Sequence, residues 1–379
     1  GKIPGQGGMS AHPAMPEPIR SALKWHSFGP LSRVPEWKPN PGENIPGYKG
    51  WIMYRKPFRY LSDNDRDLMP DELNAEWVIK ILQQKHDKPF FLAVGFNRPH
   101  TPLYAPKKYF DMFPPEKLRL PPYKMNDARD CARILWDPGH PERPNPYGWQ
   151  RYKLVMEAGG IEMWRRWIQA YLACVAFVDH QVGKILDDLQ ARPYADNTIV
   201  IFTSDHGYHM GEKDYLFKNS VWEESARVPL VIAAPGVSKA NSECDHPVSL
   251  VDMYPTLIDL CGLTLNPNKD GNNVPLDGHS IRPFIEEPNN GTWDGPSVTV
   301  TAIASIDRLK INEPAKPKRQ HYTARSKQWR YVLCNNGEEE LYDQRKDPQE
   351  WTNLAGYPEY AETKKKLRDE LLKLTGRKN

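Results

Sequence analysis

Apolar positions along this chain gather in a few strongly patterned stretches, separated by long polar and proline-rich ones. Residues 71–86, "DELNAEWVIKILQQKH", place Leu73, Trp77, Val78, Ile81 and Leu82 on one face at helical spacing. The run "KPFFLAVGF" that follows is continuously apolar and of strand length, the form of a strand buried on both sides, and it ends in "NRPHTPLYAP". Residues 161–190 predict a long helix, because Trp164, Trp167, Ile168, Tyr171, Cys174, Val175, Val178, Val182, Ile185, Leu186 and Leu189 follow the helical period. "NTIVIFTSDHG" and "RVPLVIAAPG" read as two more buried strands, and "SLVDMYPTLIDLCGL" as another helix.

Strands alternating with helices predict an α/β fold whose mostly parallel central sheet lies between helices. Near residue 290 the pattern changes. "SVTVTAIA", "HYTARSK", "WRYVLCNN" and "EELYDQ" are short alternating strands, and "YAETKKKLRDELLKLTG" is an amphipathic terminal helix. The expected organisation is therefore an α/β domain over 1–290 and a small antiparallel sheet with a terminal helix over 291–379. Residues 1–60 and 104–160 carry Pro, Gly and aromatic residues without a sustained period and predict long loops.

Composition narrows the function classes. With 39% hydrophobic and 26% charged residues over 379 positions, a packed core is expected and global disorder is not. Lys+Arg number 51 against 48 Asp+Glu, so the net +3 argues against a nucleic-acid partner. The 37 prolines and 12 tryptophans suit long ordered loops over an aromatic-rich surface, more typical of an enzyme than of a helical scaffold. The five cysteines (131, 174, 244, 261 and 334) form no C-x-x-C pair, which argues against a zinc cluster, and their odd number leaves at least one thiol unpaired. No apolar run approaches the roughly 20 residues of a membrane span. The opening "GKIPGQGGMSAHPAMPEPIR" lacks the pattern of a signal peptide. Asn290-Gly291-Thr292 is a glycosylation sequon, read here as a chance match.

In open parallel sheets, ligands sit beyond the carboxyl ends of the strands. Two such ends carry chemistry: Asn97-Arg98-Pro99-His100 and Ser204-Asp205-His206-Gly207. Asp205 and His206 are candidate ligands for a divalent cation, or else a turn pair before glycine. Lys218 is a candidate fixed cation for an anionic group, or else a solvated lysine. His100 is a candidate proton or hydrogen-bond donor to an oxyanion, or else a surface histidine. His209 and Glu212 read as loop-ordering residues. Together the candidates describe a binding site for a tetrahedral anion.

Several motifs then carry a resemblance. "TIVIFTSDHGYHMGEKDYLFKNSVWEESARVPLVIAAPG" resembles the second metal-site segment of the type I, formylglycine-dependent sulfatases of the alkaline-phosphatase-like superfamily. "YLACVAFVDHQVGKILDDL" resembles the helix before it, and "PFFLAVGFNRPHTPLYAPKKYFDMF" is similar to the matching stretch of the iduronate-2-sulfatase branch. "SLVDMYPTLIDLCGL", "LDGHSIRPF" and "ELYDQRKDPQEWTNLA" fit the same family in the same order. The resemblance implies that Asp205 and His206 bind Ca²⁺, with Mg²⁺ as the alternative ion. It also implies that Lys218 and His100 hold sulfate oxygens, with His100 a candidate for protonating the leaving alkoxide. Gly1-Lys2 resembles the start of a G-K-x-x-H motif whose lysine contacts nucleophile and sulfate, although Gly5 stands where the histidine belongs. His12 and His26 are the substitutes to consider.

The family's C/S-x-P-x-R motif, source of the formylglycine, is found at none of the five cysteines and at no serine, and no N-terminal Asp-Asp pair is present. The resemblance therefore implies a nucleophile, and the first strands of the sheet, supplied by a segment upstream or by a separate N-terminal polypeptide. The chain alone is then expected to be inactive. The implied substrate is a sulfated carbohydrate. Arg98, Trp136, Trp149 and Arg151 are candidate substrate contacts, the tryptophans by stacking and the arginines by pairing a carboxylate or second sulfate, or else parts of a proline-stiffened structural loop. The implied compartment is secreted, periplasmic or lysosomal. Two alternatives remain: a phosphoesterase or phosphonate hydrolase of the same superfamily, and a non-catalytic fragment that binds anionic glycans.

Overall fold

A computed structural model describes residues 60–377, apart from 67, 101–102, 104, 138–146, 265–275 and 305–316. Lys2, the G-K-x-x-H remnant, His12, His26 and most of the loop between Trp136 and Trp149 lie outside the described residues. In chain order the elements are β1 (Tyr60–Ser62), β2 (Asp65–Arg66), α1 (Pro70–Leu82), α2 (Lys107–Asp111), α3 (Arg133–Trp136), α4 (Tyr147–Gln190), β3 (Val200–Thr203), α5 (Glu223–Ala226), β4 (Leu230–Ala233), α6 (Met253–Leu260), α7 (Arg282–Glu286), β5 (Thr299–Ala304), β6 (Gln320–Arg325), β7 (Trp329–Leu333), β8 (Glu339–Asp343) and α8 (Ala361–Thr375). They belong to two compact units, Gly1–Leu120 with Arg151–Asp196, and Pro121–Gln150 with Asn197–Asn379. The change of pattern at residue 290 falls inside the second of these.

In the first unit, α1 begins at Pro70, whose fixed φ suits the first helical position. Glu72 accepts the Met69 amide at 2.8 Å and pairs with the Arg66 guanidinium at 2.6 and 2.7 Å, so the helix start is tied to β2. The buried stripe of α1 is Asp71, Asn74, Ala75, Val78 and Leu82, rotated from the apolar face expected from the sequence. Polar Asp71 and Asn74 point inward because they bond the backbone of the segment that follows the helix. Helix α4 bends at Gly159 and Gly160, and Gly160 has φ +58°, a left-handed conformation that a glycine adopts without a steric penalty. Its second arm coincides with the helix predicted over 161–190 and buries Trp164, Trp167, Ile168, Cys174 and Phe177.

The expected buried strand "KPFFLAVGF" is corrected by the structure. The segment forms no ladder among the described residues, and Phe91 is 79% exposed. An apolar run states which residues favour burial, while a ladder also requires a neighbouring strand in register.

In the second unit, β3 pairs with β4 in antiparallel register, Val200 opposite Ala233 and Thr203 opposite Leu230. Every ladder among the described residues is antiparallel. A parallel pair needs a crossover that packs on the sheet, usually a helix. The β3–β4 connection instead winds through irregular loop with one 3₁₀ turn (Glu212–Asp214) and the short α5, and the chain returns antiparallel. The C-terminal sheet, in the order β5-β6-β7-β8, matches the predicted short strands. Leu367 and Leu371 of α8 pack on Tyr322, Ala324, Tyr331, Leu333 and Leu341 of that sheet. A second core joins Ile134, Leu135, Val221, Trp222, Ile303, Val332 and Tyr342, and links the loop after β3 to the same sheet.

Candidate active site

Strand β3 ends at Thr203, and the next residues carry the ionisable groups. Asp205 and His206 are partly exposed, with the Asp205 carboxylate 3.5 Å from His206 Nε2. The His206 ring has a defined tautomer. Its Nδ1 lies 2.8 Å from the Gly207 carbonyl, which only accepts, so Nδ1 carries the proton. Nε2 therefore holds the lone pair, and Lys218 Nζ donates to it at 2.8 Å. A backbone carbonyl that fixes the far nitrogen of an imidazole is the usual support of a metal-binding histidine. The Asp205 carboxylate and, once Lys218 is released from it, the single lone pair of His206 Nε2 would fit one edge of a divalent-cation shell. Among the described residues no third Asp, Glu, His or Cys joins them.

The loop that returns Lys218 to His206 is fastened along its length. The Gly207 amide donates to the Ser225 carbonyl at 2.9 Å. A Cβ at Gly207 would lie 2.0 Å from the Glu224 carbonyl oxygen, so glycine is required by close approach. The His209 amide donates to Phe217 O at 3.0 Å, and His209 Nε2 meets Ser220 Oγ at 2.7 Å. His209 is fully buried and held neutral, its pKa pushed down to about 3 by burial and then by the Lys213 charge. Glu212 accepts the Met210 amide at 2.6 Å, and burial followed by the Glu224 charge pushes its pKa up to about 7. Both residues order the loop, as expected.

Lys213 was missed by sequence reasoning. It is 3% exposed, its Nζ lies 2.9 Å from Asp127 Oδ2, and it donates to the Glu350 carbonyl. Burial by itself works against the ammonium, but the Cys131 thiol and the Asp127 and Glu350 carboxylates outweigh it and raise its pKa. Beyond the loop, Glu223 pairs with Arg325 at 3.2 Å and with Arg330, and Arg330 also pairs with Glu350 at 2.5 Å. The site loop is thereby clamped to β6, β7 and the segment after β8. No local pattern signals this, because a lysine in a polar stretch reads as solvated.

Of the candidate substrate contacts, Trp149 stands edge-on to Tyr215 at 4.7 Å and to Trp222 at 6.1 Å. Together with Asn219 and Ser220 these rings line a small crevice immediately after Lys218. Trp136 packs on the core below, with Nε1 donating to Cys131 O at 3.2 Å. Arg151 lies half-buried in the first arm of α4. In the first unit, His100 is half-buried at a turn after a cis Arg98–Pro99 peptide, and its amide donates to Asn97 O at 2.9 Å. Arg98 is only 3% exposed, and its guanidinium donates to the His100 carbonyl at 2.8 Å. The Arg98 side chain is thus directed to the backbone at His100.

The family profile described as "Sulfatase" matches residues 28–263, more than half of the chain. The chain belongs to the sulfatase family. A second profile, described as "N-sulphoglucosamine sulphohydrolase, C-terminal", matches residues 211–377. Among curated relatives, a "Sulfatase" of Formosa agariphila is 35% identical over 289 residues, covering 76% of this chain and 50% of that protein. An "Iduronate 2-sulfatase" of Mus musculus is 28% identical over 247 residues, covering 55% of this chain and 42% of that protein. The chain spans about half the length of the curated relatives it matches. A solved structure of a protein in complex with its substrate D-glucosamine-2-N,6-O-disulfate superposes with TM-score 0.60 at 22% identity, covering 83% of this chain and 72% of that one. A phosphonate monoester hydrolase of Agrobacterium radiobacter superposes with TM-score 0.63 at 26% identity, covering 81% and 60%. The fold is that of the alkaline-phosphatase-like sulfatases and phosphonate hydrolases, here with a small antiparallel C-terminal sheet and a terminal helix.

Proposed function

We propose that this sulfatase-family chain carries part of the site of a sulfuric ester hydrolase acting on a sulfated carbohydrate. The observation that carries the reading is the convergence after β3, where the Asp205 carboxylate, the His206 Nε2 lone pair and the Lys218 ammonium meet. Asp205 and His206 are the residues that would hold a divalent cation, Ca²⁺ by family resemblance, with Mg²⁺ as the alternative, Lys218 then turning from His206 Nε2 to the anion. Such an ion supplies Lewis-acid stabilisation of charge on the sulfate oxygens. Lys218 contributes a fixed positive charge for an anion, effective because it is held by a buried loop rather than by solvent. His100 is proposed to protonate the departing alkoxide.

None of the five cysteines, nor any serine of the 379 residues, begins a C/S-x-P-x-R motif. The nucleophile, a formylglycine by resemblance, is therefore proposed to come from sequence upstream of these residues or from a separate polypeptide. Trp149, whose ring is held edge-on to Tyr215 and Trp222, is proposed as a sugar contact. The likeness to a phosphonate monoester hydrolase favours a second reading, hydrolysis of a phosphonate or phosphate ester.

The test uses the full-length protein with an aryl sulfate, a sulfated disaccharide and an aryl phosphonate, and titrates Ca²⁺ calorimetrically. Asp205→Ala is expected to abolish turnover and weaken calcium binding, and Lys218→Ala to lower turnover at least ~100-fold, the cost of losing one transition-state electrostatic contact. Full activity in either variant refutes the site. A preference for the phosphonate selects the second reading. Turnover by the 379-residue chain alone refutes the external nucleophile.

A further inference from the structure

The inward-facing polar residues of α1 converge on a single target. Asp71 is 2% exposed, and its carboxylate accepts two consecutive backbone amides, Asn97 N at 2.7 Å on one oxygen and Arg98 N at 3.0 Å on the other. One turn along the same helix, Asn74 Nδ2 donates to the Gly95 carbonyl at 2.7 Å. Arg98 then continues the chain of contacts through its guanidinium to the His100 carbonyl at 2.8 Å.

We propose that Asp71 and Arg98 are positioning residues for His100, the carboxylate fixing the two peptide planes that enter Asn97 and Arg98 and the guanidinium fixing the His100 carbonyl. The proposal rests on the role given to His100 above. In this arrangement the imidazole is presented by a helix through three backbone anchor points, although it sits on a turn.

Energetics support a geometric role. A carboxylate this deeply buried is costly unless paired and hydrogen-bonded, and well-packed apolar residues would serve stability as well or better. Burial raises the Asp71 pKa while the Arg98 charge and the two amides oppose the rise, so every group that favours the ionised form belongs to the segment leading into His100. The bonds are also directional. Both carboxylate oxygens are used, and an amide replacing the carboxylate would turn an NH₂ group toward one of the two donor amides.

The full-length protein is compared with Asp71→Asn and Arg98→Lys. Thermal unfolding, kcat and KM on an aryl sulfate, and the pH profile are measured. The His100 imidazole is followed by ¹H–¹³C NMR, with its signal assigned by loss in His100→Gln. In Asp71→Asn, kcat is expected to fall about 10- to 100-fold with KM within about twofold, the scale of a sub-ångström to ångström misplacement. The His100 shift and titration midpoint should move with it. Arg98→Lys keeps the charge but loses the planar fork and should fall between wild type and Asp71→Asn. The proposal is overturned if both variants unfold earlier while the His100 signal, its midpoint and kcat stay at wild-type values. If Asp71→Asn does not fold, Arg98→Lys decides by the same readouts. If His100→Gln retains full turnover, the proton-donor role of His100 fails, and the NMR comparison still decides positioning.

Discussion

Replacing Lys213 by methionine tests how the site loop is held. Lys213 and Asp127 are 3% and 2% exposed, and their charged atoms lie 2.9 Å apart. The Lys213 ammonium also sits 5.1 Å from the Tyr342 ring centroid and 5.9 Å from that of Trp222. Methionine fills most of the aliphatic volume, so the loss is chiefly electrostatic. Removing one partner of a buried pair costs about 3–5 kcal/mol, because the other charge stays desolvated. The cation–π contacts add to this, each worth up to about 2 kcal/mol at a desolvated site. That is a large share of the roughly 5–15 kcal/mol by which a protein is folded.

The sign with pH follows from Asp127, whose pKa burial already raises even with Lys213 beside it. Without the ammonium the pKa rises further. A carboxyl with a raised folded-state pKa contributes most below its unfolded value and loses that contribution as pH climbs. The deficit of Lys213→Met should therefore be larger at pH 8 than at pH 5. Urea unfolding followed by tryptophan fluorescence at both pH values measures it. Lys213→Met/Asp127→Asn should recover part of the loss at pH 8. A deficit below about 1 kcal/mol at pH 8, or one independent of pH, would falsify the reading of the pair as desolvated.

Two further outcomes follow from the same loop. Gly207→Ala forces a Cβ to within 2.0 Å of the Glu224 carbonyl oxygen, so the loop must move; a stability loss of at least ~2 kcal/mol, together with weakened calcium binding, is expected by denaturation and calorimetry. His209 is held at a pKa of about 3 by burial, against 6.5 for an ordinary histidine, so its contribution is complete above pH 6.5 and is lost as pH falls toward 3. Up to ~5 kcal/mol is at stake over that span, and His209→Gln should flatten the acid limb of a stability–pH curve; an unchanged limb counts against the assignment.

Much of the candidate site is legible in the amino-acid sequence. The abrupt end of the apolar run at Ser204-Asp205-His206 locates the candidate cation edge, and the motif that follows locates Lys218. Legibility stops where a residue's role depends on a partner far along the chain. Arg98 reads as a candidate substrate contact from its place after the apolar run, and its neighbours, the His100 carbonyl and a carboxylate 27 residues earlier, are not legible there. Lys213 carries no signal in its local sequence, yet it donates to a carbonyl 137 residues later.

The sequence by itself determined the elements whose apolar period is strong: the second arm of α4, the four C-terminal strands and α8, together with the order of motifs that marks the family. Periodicity suffices there because burial of apolar side chains is non-directional and depends mainly on which face a residue occupies. The tertiary structure decided the antiparallel pairing of β3 with β4, the exposure of Phe91, the inward turn of Asp71 and Arg98, and the clamp through Lys213. Those outcomes rest on ladders, hydrogen bonds and ion pairs. Each is directional and short-ranged, and takes its meaning from the second partner, which only the folded chain brings into reach.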